Sequence, residues 1–203
     1  MRNLKRTLSL ALASVMLVGM MSVGASAVNA SDFTDADEIV NKDAVSTMTA
    51  LGIINGKEDG SYFDPTGNVT RAEMATVMAN LLGLKVDDFK NASIPFTDVP
   101  EWARPYVAAC YAAGVTSGTS ATTYGSNDSV TAVQASLMMM KALGYFQYQS
   151  DFGSDWQLST ISQGNKIDLF NGVDSGVKEA MTRNDVAQLV LNGLKSDMVS
   201  FTG

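Results

Sequence analysis

The chain has 203 residues, enough for one or two domains, and 46% of them are hydrophobic against 17% charged, which excludes a disordered protein. Its net charge of −7 argues against binding to nucleic acid or to an anionic membrane, because both require a basic face. The chain has no histidine and a single cysteine, Cys110, which excludes a Ser-His-Asp triad, histidine-ligated zinc, cysteine clusters and intrachain disulfides.

Residues 1–27 are predicted to be a secretory signal peptide. Three basic residues precede an apolar stretch at residues 8–21, and small residues follow it. The stretch is shorter than the roughly 20 residues that span a bilayer, so we expect no membrane span after cleavage. Cleavage fits after either Ala27 or Ala30. We therefore expect the mature protein to be secreted.

The rest of the chain repeats itself at a nearly constant spacing. Phe33-Thr34-Asp35 recurs as Phe96-Thr97-Asp98. Val69-Thr70-Arg71-Ala72-Glu73 is matched by Val130-Thr131-Ala132-Val133-Gln134 and by Met181-Thr182-Arg183-Asn184-Asp185. These matches divide the chain into unit 1 (33–84), unit 2 (96–145) and unit 3 (151–199).

The second half of each unit is predicted to be a capped amphipathic helix. Thr70 with Glu73 has the spacing of a capping box, as do the equivalent pairs in units 2 and 3. Apolar residues follow at helical spacing, including the methionines at 138–140, and predict one buried stripe per helix.

The first half of each unit is predicted to be another helix. It begins after the Phe-Thr-Asp element, with Asp35 or Asp98 as its cap, and ends at Gly52 or Gly114. In unit 2, Pro100 and Pro105 place its start close to Arg104. The expected fold is therefore all-α, with three helix-loop-helix hairpins that must pack on one another.

These residues, in this order and spacing, resemble the S-layer homology module. They include Leu51-Gly52-Ile53-Ile54-Asn55-Gly56, Phe63-Asp64-Pro65 and Val69–Ala75 in unit 1, and Phe96–Pro100 with Trp102-Ala103, Gly114-Val115 and Gly118 in unit 2. The resemblance implies a pseudo-threefold spindle around a central three-helix bundle. It also implies a non-catalytic anchor at the cell wall or S-layer surface, whose grooves bind a secondary cell-wall polysaccharide attached to peptidoglycan, often with pyruvylated sugars.

The chain departs from this family pattern in units 2 and 3. Ala132 stands where the motif arginine is expected in unit 2. Unit 3 lacks a clear Phe-x-Asp start, has Asp168 in place of a glycine and has a shorter loop, so we predict a degenerate third repeat.

Arg71 and Arg183 are the leading candidates for polysaccharide binding. Each follows a capping threonine, where the partial positive charge of a helix N-terminus disfavours a cation. A guanidinium beside free backbone N–H groups makes an anion site for a sugar carboxylate. Alternatively, each arginine pairs with a nearby acid such as Asp64 and fastens the loop.

Trp102, Asp35 and Asp98 complete the predicted site. Trp102 is either a stacking surface for sugars or a packing anchor, and the two aspartates are helix caps that also shape a groove. Tyr62, Phe63 and Tyr124 lie in the loops, where hairpin closure or a sugar platform would suit them.

Three other functions are less compatible with the sequence. Residues 57–64 form an acidic loop, but without the spacing of a calcium-binding EF-hand. No two acids stand out as a hydrolase pair. A protein-binding adaptor that uses the same grooves remains the alternative. We expect a monomer without cofactor or metal that acts alone or within a surface layer.

Overall fold

The computed structural model describes residues 28–199, so the predicted signal peptide at 1–27 lies outside the described residues. The described part contains six α-helices and no strand or sheet, which confirms the all-α prediction. They are α1 (Lys42–Ala50), α2 (Arg71–Leu81), α3 (Arg104–Ala112), α4 (Ala132–Ala142), α5 (Trp156–Lys166) and α6 (Arg183–Lys195). None of these helices is long and apolar enough to cross a membrane.

The predicted caps of the second helices are present. Thr70 accepts the backbone N–H of Glu73 while the Glu73 carboxylate accepts that of Thr70, and α4 has the same reciprocal box. In α6, Thr182 caps the helix but the Asp185 carboxylate turns away to the loop of unit 3. The capping boxes of α2 and α4 are confirmed, and that of α6 is half formed.

The first helix of unit 1 begins later than the cap prediction required, whereas that of unit 2 begins at Arg104, close to its predicted start. Asp35 precedes a separate 3-10 turn, and α1 starts at Lys42, while the Asp98 side chain bonds to the loop before α4. The prediction that Asp35 and Asp98 cap helices is therefore wrong. The predicted ends are confirmed, since Gly52 and Gly114 follow α1 and α3 with φ of +67° and +74°, a conformation that glycine adopts without strain.

The six helices pair mainly across units. The first helix of each unit packs against the second helix of another unit: α1 against α6, α3 against α2, and α5 against α4. The prediction that each unit forms its own hairpin is therefore wrong, and the three units interlock.

Backbone hydrogen bonds join the three units in a closed ring just before their second helices. The Val69 N–H donates to the Met181 carbonyl (3.0 Å), the Met181 N–H to Val130 (2.9 Å), and the Val130 N–H to Val69 (2.8 Å). Each unit thus contributes one donor and one acceptor. This ring supports the predicted pseudo-threefold spindle, which stays a prediction.

The core consists of the apolar stripes of the second helices and the faces packed on them. The methionines at 138–140 are buried, as predicted. Cys110 is also buried, and burial raises the pKa of its thiol to about 12. Cys110 is therefore a neutral thiol inside the core at neutral pH.

Candidate functional site

A groove of about 190 Å³ lies where unit 1 meets residues from units 2 and 3. It is lined by residues of α2 and of the segment after α1, together with Trp102 and Arg183. Its lining residues are Ile53, Ile54, Asn55, Val69, Glu73, Thr76, Val77, Asn80, Trp102, Arg183 and Val186. Two predicted site residues, separated by most of units 2 and 3, therefore meet in one groove.

Trp102 lies in the turn that leads into α3, and 55% of its surface is exposed. An indole in this position offers an apolar face to a ligand while its ring N–H can still donate a hydrogen bond. The rest of the Trp102 surface is covered by the protein, so both interpretations, the packing anchor and the sugar platform, stay predictions.

Arg183 forms part of the groove wall while it fastens the loop of unit 1. Its Nε donates to the Phe63 carbonyl (2.6 Å) and its Nη2 to the Asn55 carbonyl (2.7 Å), and the guanidinium carbon lies 4.7 Å from the Phe63 ring centroid. Burial lowers the pKa of Arg183 below its usual value, although the negative charges of Glu73 and Asp64 act to raise it. Arginine nonetheless stays charged in proteins, so the groove carries a cation.

Arg71 makes the same contacts to unit 2 but is only 6% exposed. Its Nε donates to the Tyr124 carbonyl (2.9 Å), its Nη2 donates to the Ser117 carbonyl (2.8 Å), and the guanidinium carbon lies 4.8 Å from the Tyr124 ring centroid. Arg71 does not line the groove. The expectation that its guanidinium lies open to a ligand is wrong, and the alternative of loop fastening describes its contacts, with carbonyls in place of an acid.

The backbone N–H groups at the starts of the second helices are already bonded. The Arg71 N–H donates to Asp128 and the Ala72 N–H to Ser126, and the Arg183 N–H donates to Gly67. Each acceptor is a carbonyl in the loop of another unit. The premise of free N–H groups that form an anion site is therefore wrong at both helices.

Asp35 and Asp98 hold the same loops from the other side. Asp35 accepts the N–H groups of Phe63 and Asp64, and Asp98 accepts those of Tyr124, Gly125 and Ser126. Burial acts to raise the pKa of Asp98, but these backbone hydrogen bonds outweigh it, so the pKa lies below its usual value.

Each of these loops is thus held by what we call a clasp: an aspartate on the N–H and an arginine on the carbonyl of one buried aromatic residue. That residue is Phe63 in unit 1 and Tyr124 in unit 2. Phe33 packs on Phe63 with ring centroids 5.4 Å apart, and Phe96 packs on Tyr124 at the same separation. Because Phe63 and Tyr124 are fully buried, they close the loops rather than offer a sugar platform.

Unit 3 has no such clasp. Ser175 stands at the position of Phe63 and Tyr124, seven residues before the capping threonine, and Ala132 leaves no arginine to bond this loop. The Asp185 carboxylate instead accepts the Ser175 N–H (2.8 Å) and its hydroxyl. The loop of unit 3 is therefore held by Asp185 of its own unit and by the backbone N–H groups of Ala132 and Val133, which donate to the Glu179 and Val177 carbonyls.

Several groove residues were missed in the sequence analysis. Thr76 and Asn80 were not singled out, and Glu73 was assigned only to the capping box. These three residues are spaced i, i+3 and i+7, which places them on one helical face of α2 beside its apolar stripe. That polar face was the available signal.

The acidic loop at 57–64 is closed by an ion pair between Lys57 and Asp64. Across the described residues, no group of three or more acids or thiols is arranged to hold a metal ion. The structure therefore offers no candidate metal centre in residues 28–199.

Two segments of the chain, residues 32–75 and 95–131, match the S-layer homology domain. They fall in units 1 and 2 and contain both Phe-Thr-Asp elements, Arg71 and Trp102. The predicted third repeat lies outside the matched segments.

The chain is also similar to several larger bacterial proteins. It is 27% identical over 206 residues to a cell surface protein of Thermoanaerobacter kivui, covering 99% of this chain and 26% of that protein. It is 33% identical over 116 residues to an S-layer protein of Bacillus thuringiensis subsp. finitimus, covering 57% and 14%. It is 26% identical over 175 residues to the exoglucanase XynX of Acetivibrio thermocellus, covering 78% and 16%. The chain thus spans about a quarter or less of the length of these relatives.

Proposed function

Because residues 32–75 and 95–131 match the S-layer homology domain, we propose that the chain is a non-catalytic anchor of the bacterial cell wall. In this proposal the mature protein is secreted and binds a secondary cell-wall polysaccharide non-covalently. The similarity to surface proteins and to one exoglucanase supports an anchoring role that serves more than one kind of protein.

The observation that carries the proposal is the meeting of Trp102 and Arg183 in one groove. A sugar ring stacks on the exposed indole, while the Nη1 group of Arg183, which bonds to no described residue, donates to a hydroxyl or carboxylate of the polymer. A pyruvyl ketal would present such a carboxylate. In this assignment Trp102 and Arg183 contact the ligand.

Arg71, Asp35 and Asp98 have a different part in the proposal. Their polar atoms bond to the loops of units 1 and 2, and the loop of unit 1 carries Asn55 in the groove wall. We assign them to the shape of the grooves rather than to direct contact with sugar, with Arg183 in place of Arg71 as the main cation.

Co-sedimentation with purified cell walls tests the proposal. The mature protein is expected to pellet with intact walls and to stay in solution after chemical removal of the non-peptidoglycan polymer. Binding that survives this removal but is lost when wall proteins are digested would instead support the adaptor, and binding that survives both treatments would place the ligand in peptidoglycan.

A single substitution tests whether the groove, rather than another part of the surface, binds the cell wall. Trp102→Ala removes an exposed side chain, so we expect an unchanged melting temperature and a loss of about tenfold or more in affinity for intact walls. Tyr111→Ala, which removes an exposed aromatic residue of α3 outside the groove, is the matched control. Wild-type wall affinity in Trp102→Ala would contradict the site.

A further inference from the structure

A second pocket, here called the unit 3 pocket, lies between α5 and the connector that precedes it. Its volume is about 330 Å³, at the small end of ligand-binding pockets and suitable for one sugar ring. Its lining residues are Phe146, Asp151, Leu158, Ser159, Ser162, Gln163 and Lys166. It shares no residue with the groove and lies outside both segments that match the S-layer homology domain.

An aromatic ring forms one wall of the unit 3 pocket. Phe146 stacks on Phe152, with ring centroids 4.9 Å apart and planes 7° from parallel. The φ of Phe146 is +52°, a left-handed conformation that a bulky side chain rarely adopts. Strain of this kind concentrates at binding sites, where the surrounding structure maintains it. Stacking on Phe152 thus holds the ring of Phe146 in place at the pocket.

Polar side chains of α5 also line the unit 3 pocket. Ser162, Gln163 and Lys166 make no side-chain hydrogen bond or ion pair with any residue in the described range 28–199. Asp151 uses Oδ2 to accept the Tyr148 N–H (2.8 Å), which leaves Oδ1 for a ligand. The pocket therefore has donors and acceptors that the fold itself does not use.

The charges around the pocket select the kind of ligand. Lys166 is the one cation and Asp151 the one anion among the lining residues. A phosphate would be attracted by the lysine but repelled by the aspartate, and a metal ion would meet the reverse, so neither gains a net attraction from this pair. An uncharged ligand with many hydroxyl groups meets neither penalty, and its apolar ring face suits Phe146.

The surface next to the pocket is unusually apolar. Tyr148 is 58% exposed and Leu158 is 65% exposed, and Trp156 at the start of α5 is 38% exposed. Leu158 belongs to the pocket, and the two aromatic residues lie within the same stretch of chain. Exposed aromatic residues beside unpaired polar groups are typical of sugar-binding surfaces rather than of a solvated connector.

From these observations, we propose that the unit 3 pocket is a separate subsite for one neutral sugar unit of a wall glycan. The sugar ring packs on Phe146, and its hydroxyls bond to Gln163, Lys166 and Asp151. The glycan is either the secondary polysaccharide or the glycan strand of peptidoglycan, because both present such rings.

Nuclear magnetic resonance titration of the mature protein tests the subsite and identifies the source. Two probes are used: the polysaccharide released from walls, and soluble glycan strands prepared from walls stripped of that polysaccharide. The side-chain amide of Gln163 and the backbone amides of Phe146 and Asp151 are expected to shift with one of them. No shift at these groups with either probe would overturn the proposal.

Variants on α5 complete the test. Gln163→Ala removes one hydrogen-bonding side chain and should weaken binding of the active probe by about threefold or more. Gln157→Ala, on the same helix but outside the pocket, is the matched control. The subsite is overturned if Gln163→Ala and Gln157→Ala bind equally well. Because Trp102→Ala should leave these shifts intact, failure of the subsite and failure of the proposed groove are distinguishable.

Discussion

At the scale of single residues, Arg71 and Arg183 perform the same structural task in different units. The side chain of each arginine extends from the start of its own helix and donates to two carbonyls in the loop of another unit. The bonded residues are far apart along the chain, so local sequence patterns could not show this contact. The sequence did indicate that both arginines sit unfavourably for their own helices.

Arg71→Ala should therefore destabilise the protein. The substitution leaves the carbonyls of Tyr124 and Ser117 without their donor, and we expect a loss of about 3 kcal/mol in the free energy of unfolding. Urea unfolding followed by tryptophan fluorescence measures it. Arg104→Ala, whose side chain bonds to no described residue, is the control and should change stability little. An unfolding midpoint equal to that of the wild type would show that the clasp is dispensable.

Asp98 makes the clasp of unit 2 sensitive to pH. Backbone hydrogen bonds hold its pKa in the folded state below the usual value of about 3.9 for an unfolded chain. As pH falls, the unfolded chain takes up the proton first, so the stabilisation is complete above the unfolded pKa and is lost as pH falls through the folded pKa.

Asp98→Asn should accordingly cost most stability near neutral pH. We expect the difference in free energy of unfolding between wild type and Asp98→Asn to shrink below about pH 4. Urea unfolding at a series of pH values measures this difference, with Glu101→Gln, an exposed acid nearby, as the control. A difference that stays constant down to pH 3 would contradict the role assigned to the Asp98 carboxylate.

The departures of units 2 and 3 from the repeat are related through one contact. Ala132 lies where an arginine would bond to the loop of unit 3, and that loop has Ser175 in place of the aromatic residue on which an arginine stacks. Two changes that look independent in the sequence thus remove the two partners of one clasp. The absence of the third clasp is offset by the hydrogen bonds that the Asp185 carboxylate accepts from Ser175.

At the scale of elements, the sequence predicts what depends on local contacts. The caps of α2 and α4, the glycines after α1 and α3, and the start of α3 involve residues within a few positions of each other, and all are confirmed. The assignment of Asp35 and Asp98 as caps is wrong because their carboxylates bond to loops much further along the chain. An apolar stripe shows that a helix is buried, but not against which helix.

The short segment before the 3-10 turn Ala30–Asp32 is part of the folded domain. The Ala30 N–H donates to Ser46 Oγ (2.9 Å), and Thr49 Oγ1 donates to the Val28 carbonyl (2.8 Å). Ala30 is buried against the core. Of the two predicted cleavage positions, the one after Ala27 keeps these contacts and the one after Ala30 removes them.

We therefore expect hydrolysis of the Ala27–Val28 bond, which leaves a carboxylate on Ala27 and a protonated amine on Val28. That amine would lie near the C-terminal end of α1, where the helix dipole favours a positive charge. The intact mass of the exported protein measures the position. A form beginning at Ser31 should be less stable than one beginning at Val28 by about 1 to 3 kcal/mol, from the lost hydrogen bond of Ala30 to Ser46 and the lost burial of Ala30. Exported protein that begins at Ser31 would contradict this prediction.

At the scale of the whole molecule, each of the three units contacts the other two, so the arrangement is closed. Each first helix packs on the second helix of another unit, and the ring of backbone hydrogen bonds passes through Val69, Val130 and Met181. The repeat in the sequence predicts three similar units that must pack together. It does not predict that the helices are exchanged between units, because a pattern within one unit contains no information about its neighbour.

Removal of unit 3 should therefore unfold more than unit 3. A protein of residues 28–150 lacks α5 and α6, so α4 and α1 lose the helices packed against them, and the hydrogen-bond ring loses Met181. We expect this truncated protein to show weak helical circular dichroism and no cooperative thermal transition, whereas residues 28–203 melt in one step. The comparison also distinguishes interlocked units from independent hairpins, since independent hairpins would keep about two thirds of the helical signal in proportion to the helices retained. A sharp two-state melt of residues 28–150 would show that units 1 and 2 are stable without the closed arrangement.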